Sequence, residues 1–168
     1  MSEQKNTTMA IKGGEWLIRK TEPEAVFIPE EFDEEQQMIA DTCQEFIEKE
    51  VWPQLDALDS MEDPELMPSL LDKSGALGLL GVSIPEAYGG FAKNFNTAML
   101  VTEVTGAGHS FAVALSAHTG IGTLPILLYG NEAQKAKYLP KLASGEWKAS
   151  YCLTEPGSGS DANSGKTK

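Results

Sequence analysis

Pairs of residues at Met38/Ile39, Thr42/Cys43 and Phe46/Ile47 recur every four positions and lead into Val51. That spacing marks one face of a helix, because strand faces repeat every two residues. Asp33, followed three residues later by Gln36, supplies a start by reciprocal capping, and Trp52-Pro53 supplies an end. The same periodicity returns along the chain. Pro68 is tolerated only in a first turn, so it fixes the start of a helix over 66–77, with Leu70, Leu71 and Leu77 on one face. Residues 84–90, Ile-Pro-Glu-Ala-Tyr-Gly-Gly, form a turn, since Pro85 biases Ile84 away from helix and the glycines allow positive φ. Further helices are predicted over 95–105, 110–119 and 124–129, and Asn131 with Gln134 caps another that Pro140 kinks or splits. Only over 147–154 does the period shorten to that of a strand. The fold class is therefore mainly α, a bundle of about five or six helices followed by one strand.

Composition narrows the function. At 168 residues and 41% hydrophobic, the chain can bury a core without disulfides or metals. Its net charge is −12, with Arg19 as the sole arginine, which sets it against nucleic-acid phosphates. Cys43 and Cys152 lack CxxC spacing and read as buried free thiols in a reducing compartment. His109 and His118 lie nine residues apart without a third ligand, so they read as surface or capping histidines and not as metal ligands. Residues 1–30 are polar, carry Pro23 and Pro29, and read as an N-terminal arm with a small apolar stretch at 25–28. The first 16 residues lack the apolar core of a secretion signal and the arginine-rich pattern of a transit peptide. Gly120, Gly122 and Pro125 punctuate the longest apolar run, so no membrane span is expected. A cytoplasmic, bacterial protein is the expectation.

The chemistry is concentrated at residues 151–165, YCLTEPGSGSDANSG. A loop of glycines and serines after a strand brings backbone N–H groups and small hydroxyls against anionic oxygen; a plain turn has the same composition. Two nucleotide motifs fail here. Gly157 and Gly159 begin a GxGxxG, but position 162 is Ala162 and no helix pattern follows. Gly165-Lys166-Thr167 could end a P-loop, yet its first glycine would fall on Ser160.

The run Cys152-Leu153-Thr154-Glu155-Pro156-Gly157-Ser158-Gly159-Ser160-Asp161, with Ser164 beyond it, resembles at every position the flavin-binding signature of the acyl-CoA dehydrogenases. The order of residues 84–90 (IPEAYGG), 127–146 (LLYGNEAQKAKYLPKLASGE) and then the signature resembles the same family, with its very-long-chain branch as the nearest likeness. The resemblance implies a helical N-terminal domain over 31–146, and at 147–168 the first strand and loop of a truncated middle β-domain. It implies FAD as cofactor. Tyr151 and Leu153 would lie against the flavin ring, Thr154 would hydrogen-bond to it, Gly159 would allow close approach, and Ser160 would contact both the FAD pyrophosphate and bound acyl-CoA. Thr154 as a strand residue and Ser160 as a turn residue remain the plain alternatives.

Ala117 sits, by the same resemblance, at the acyl pocket among the small residues Ala112, Ala114 and Ser116; close helix packing explains those residues equally well. The implied reaction is α,β-desaturation of an acyl-CoA thioester in fatty acid β-oxidation. A carboxylate takes the α-proton, the β-hydrogen leaves as hydride to the flavin, and an electron-transfer flavoprotein is the onward partner. In the family the catalytic base comes from a C-terminal helical domain, and the full-length protein is a homo-oligomer. Glu155 and Asp161 therefore read as structural, no catalytic residue falls within these 168 residues, and the chain by itself is expected to be inactive. A non-catalytic helical interaction module built on the same fold is the competing reading.

Overall fold

The computed structural model describes residues 13–167 and divides the chain at Gln37/Met38 into two compact units. The part of the arm expected over 1–12 lies outside the described residues. From Gly13 the first unit is a series of single 3-10 turns, Gly13–Leu17, Pro23–Ala25 and Pro29–Glu31. Pro23 and Pro29 open two of them, where a missing N–H leaves no bond unmade. Phe27 of the apolar stretch packs on Phe32 beyond it, the rings meeting edge to face at 5.1 Å. Helix α1 (Glu34–Phe46) starts on the expected cap: Asp33 Oδ1 accepts the Gln36 N–H at 2.8 Å, and Gln36 Oε1 accepts the Asp33 N–H at 3.1 Å.

In the second unit the chain does not stop at Trp52-Pro53. It passes through a π-helical turn, Ile47–Val51, and a 3-10 turn, Trp52–Gln54, into a short helix α2 (Leu55–Ser60) that the periodicity did not anticipate. Pro53 stands in a first turn, where it is tolerated. Then follow α3 (Leu66–Ala76), α4 (Phe95–Thr105), α5 (Ser110–Ser116), a second π-helical turn (Ala117–Gly122), α6 (Leu124–Tyr129) and α7 (Glu132–Ser144). Asn131 Oδ1 and Gln134 Oε1 exchange N–H bonds at 2.9 Å to open α7, and Pro140 is carried inside one unbroken helix.

The core gathers around α5. Phe111 is fully buried, its ring 5.7 Å from that of Phe46, with Ile47, Leu70 and Leu80 also sealed from solvent. Each such side chain contributes about 1.5–3 kcal/mol. A smaller cluster of Ile84, Leu139 and Ala143 seats α7. There α3 and α7 touch closely, because a Cβ on Gly75 would lie 2.2 Å from the Ser144 carbonyl oxygen. The stretch Ser110–Tyr129, 20 residues of mean hydropathy 1.6, is long and apolar enough to cross a membrane by length and composition. The interruption expected at its glycines does not occur, since the π-turn absorbs them. Only 22% of the stretch is buried, with Phe111, Leu115 and His118 turned into the core and Val113, Ile121, Leu128 and Tyr129 exposed.

The strand expected over 147–154 does not form, and no strand occurs among the described residues. A strand needs a second row of N–H and C=O groups to pair with. Here the Trp147 N–H goes to the Lys141 carbonyl at 3.1 Å and the Ala149 N–H to the His118 ring at 3.0 Å.

Candidate functional site

The signature loop is closed from within. Glu155 and Ser158 exchange backbone hydrogen bonds at 3.1 and 3.0 Å around Pro156-Gly157, an isolated antiparallel bridge. Ser158 is buried and donates its hydroxyl to the Asp161 carbonyl at 2.6 Å. The Asp161 carboxylate accepts the Ser164 hydroxyl, and its carbonyl accepts the Ser164 N–H at 3.0 Å. The Glu155 carboxylate accepts the N–H of Lys166 at 2.7 Å and of Thr167 at 3.0 Å. These donors favour the ionised form and hold its pKa below the ordinary carboxylate value. A carboxylate so engaged and so readily ionised is a fastener, not a proton acceptor for a substrate.

Outside these bonds the loop is open. A Cβ on Gly157 or Gly159 would meet nothing within 4 Å. Tyr151 is 52% exposed and Leu153 49%, and Thr154, Gly159 and Ser160 are exposed as well. The five residues expected at a cofactor are thus all exposed, on either side of half-buried Glu155 and buried Ser158. Open backbone beside two small hydroxyls and an aromatic ring suits a flat, phosphorylated ligand.

Ala117 is half-buried and lies in the π-turn of the Ser110–Tyr129 stretch. A mostly apolar groove of about 590 Å³ runs along that stretch, bounded by Phe95 and Met99 of α4, by Ile84, and by Ser116, Thr119 and Leu124. Ala117 does not line it. It falls instead between Val113 and Ile121, which are 70% and 52% exposed, on a separate apolar stripe. The π-turn and the signature segment are joined through Ala149 by the residue after Ala117.

That residue, His118, is no surface histidine. Its ring is fully buried, with Nε2 2.9 Å from the Leu142 carbonyl and Nδ1 accepting the Ala149 N–H at 3.0 Å. Sequence spacing concealed this, because both partners are remote in the chain. Cys152 is likewise exposed, against expectation, whereas Cys43 is buried and its thiol pKa is pushed up to about 11. Among the described residues no group of three His, Cys, Asp or Glu could hold a metal ion.

A helical unit leading into a glycine–serine loop closed by its own hydrogen bonds defines an all-α domain. The acyl-CoA dehydrogenase N-terminal domain family matches residues 33–146. The chain belongs to the acyl-CoA dehydrogenase family. It is 47% identical over 156 residues to a probable acyl-CoA dehydrogenase of Bacillus subtilis, covering 93% of this chain and 26% of that protein. Against the very long-chain specific enzyme of Macaca fascicularis it is 44% identical over 133 residues, 73% of this chain and 20% of the other. An acyl-CoA dehydrogenase of Bacillus anthracis solved in complex with FAD superposes with a TM-score of 0.84 at 48% identity, covering 91% of this chain and 27% of that one. The chain therefore spans about a quarter of the length of these relatives. A bacterial relative matches over more of the chain than the very-long-chain enzyme does, so the likeness fixes the family and leaves the branch open.

Proposed function

We propose that these residues supply the helical domain and the first flavin-contacting segment of an FAD-dependent acyl-CoA dehydrogenase. The observation that carries this reading is the exposed run Tyr151–Thr154 with Gly159 and Ser160, around a loop closed by its own hydrogen bonds, in a chain that superposes on an FAD-complexed relative. FAD, when bound, would accept the β-hydrogen of an acyl-CoA as hydride. Around it, Tyr151 and Leu153 present apolar surface for the flavin ring and Thr154 a hydroxyl for its polar edge. Gly159 lets the backbone approach, and Ser160 offers a hydroxyl to phosphate oxygen and to acyl-CoA.

Ala117, with Val113 and Ile121, gives the acyl chain an apolar wall whose small central residue leaves room for length. Residues 147–168 then belong to the middle β-domain, and 31–146 to the helical domain. The base that takes the α-proton, the electron-transfer flavoprotein as acceptor and assembly into a homo-oligomer belong to the whole protein in this reading.

The test is a chimera in which this chain replaces the matching quarter of the FAD-complexed Bacillus anthracis relative. The expected protein is yellow, holds FAD stoichiometrically and bleaches on adding acyl-CoA. A folded but colourless chimera would overturn the flavin reading in favour of a helical interaction module.

A further inference from the structure

His118 joins three parts of the second unit. The Leu142 carbonyl at the end of α7 can only accept, so the proton of the ring is on Nε2, and Nδ1 is free to accept the Ala149 N–H. Only the neutral ring makes both bonds. The His118 carbonyl is in turn held by the Thr123 hydroxyl at 2.6 Å, which stabilises the π-turn that aims the ring. Gly122 of the same turn lets Ala149 approach, since a Cβ there would lie 2.4 Å from the Ala149 Cβ. Ala149 stands two residues before Tyr151, in a segment that has no ladder to hold it.

We propose that His118 is a positioning residue for the flavin loop, its neutral ring latching the backbone at Ala149, and through it Tyr151 to Thr154, onto the helical unit. The role toward flavin rests on the proposed function above; the latch itself does not. Burial lowers the pKa of the ring, with the Leu142 bond opposing and the Lys148 charge adding to the lowering. Of the elements around the ring, α5, α6 and the turn Leu79–Gly81 contain no Lys, Arg, Asp or Glu, whereas α7, which supplies the Leu142 carbonyl, carries Glu132, Lys135, Lys137 and Lys141, the last paired with Glu146. Lys148 is itself paired with Asp72 of α3.

Amide hydrogen exchange on this chain, corrected for intrinsic rates, reads the latch directly. His118→Leu is expected to speed exchange at Ala149 at least about tenfold, the loss of one buried hydrogen bond, while Leu70 and Val101 keep their rates. His118→Gln, whose side chain can donate to Leu142 and accept from Ala149, restores protection. In the unsubstituted chain, protection at Ala149 is full above the ordinary histidine value and is lost as pH falls through the lowered one. His118→Gln abolishes that step. A uniform rise across Ala149, Leu70 and Val101, or the same pH step in His118→Gln, would overturn the latch. Should His118→Leu fail to fold, the pH profiles of the other two decide.

In the chimera, His118→Leu is expected to weaken FAD binding about tenfold or more, with His118→Gln restoring it. An Ala149 amide that is released while FAD affinity stays unchanged overturns the positioning role alone. A parent chimera without FAD overturns the flavin reading and leaves the latch standing.

Discussion

Replacing Gly122 by alanine sets a helix preference against a steric one. In an ordinary helix interior, glycine to alanine gains about 0.8–1.0 kcal/mol. Here the new Cβ would stand 2.4 Å from the Ala149 Cβ, 3.0 Å from the Ala117 carbonyl oxygen and 3.2 Å from the Ala149 carbonyl carbon. Carbon atoms pack at roughly 3.5–4.0 Å, so Ala149 must retreat by about 1 Å or more. Its N–H, 3.0 Å from His118 Nδ1, then moves out of hydrogen-bonding range and leaves a buried ring nitrogen without its donor. Overpacking costs about 1–3 kcal/mol and the orphaned nitrogen about 1–3 more. The clash therefore wins, with a net loss of about 1–5 kcal/mol, toward the lower end because the segment can detach without opening the core. Urea unfolding followed by circular dichroism measures it, and each kcal/mol also lowers Tm by about 2–4 °C. Ala149→Gly removes the worst contact, so the double variant should recover much of the loss, with a coupling above about 0.5 kcal/mol. A Gly122→Ala chain as stable as its parent, or additive with Ala149→Gly, would refute the close approach.

Two other sites give sharp readouts. The N–H bonds to Glu155 lower its pKa, so the order they impose on 155–167 is fully present above the unfolded carboxylate value and is lost as pH falls through the folded one. Amide exchange at Lys166 and Thr167 should show that step, and Glu155→Gln should erase it; a step that persists in the variant rules out Glu155 as its source. A thiol reagent at neutral pH should label exposed Cys152 and spare Cys43, buried and with its pKa near 11, until denaturant is added. Two labels on the native chain would contradict the packing around α1.

What could be read from the sequence was local. The caps at Asp33–Gln36 and Asn131–Gln134 span three residues, and both formed. The helix expected over 95–105 has those bounds, and Pro68 stands in the first turn of α3. The failures share a cause. Gly120 and Gly122 looked like a break because glycine disfavours helix, yet a π-turn carries the chain across and Thr123 satisfies the carbonyl of His118. Pro140 looked like a kink or a split into two turns, and the split does not occur, since α7 runs through it as one helix. Glycine and proline preferences describe the regular α-helix, so periodicity encodes neither the π-turn nor the accommodation of Pro140.

The site divides along the same line. Its composition was legible, because glycine and serine in that order announce a bare loop, whereas its anchorage was not. The His118 ring reaches Leu142 and Ala149 across 24 and 31 residues, and the Lys148–Asp72 pair spans 76. In the proposed flavin reading these long-range ties have a physical consequence. A loop that must meet a rigid, flat ligand gains affinity when its conformation is set beforehand, since ordering it at the moment of binding costs about 0.5–1.5 kcal/mol for each flexible side chain immobilised. A strand would set it by ladder hydrogen bonds, which residues 147–154 do not make. Side-chain anchors do so instead, His118 on Ala149 and Glu155 on Lys166 and Thr167, and they leave Thr154, Gly159 and Ser160 exposed.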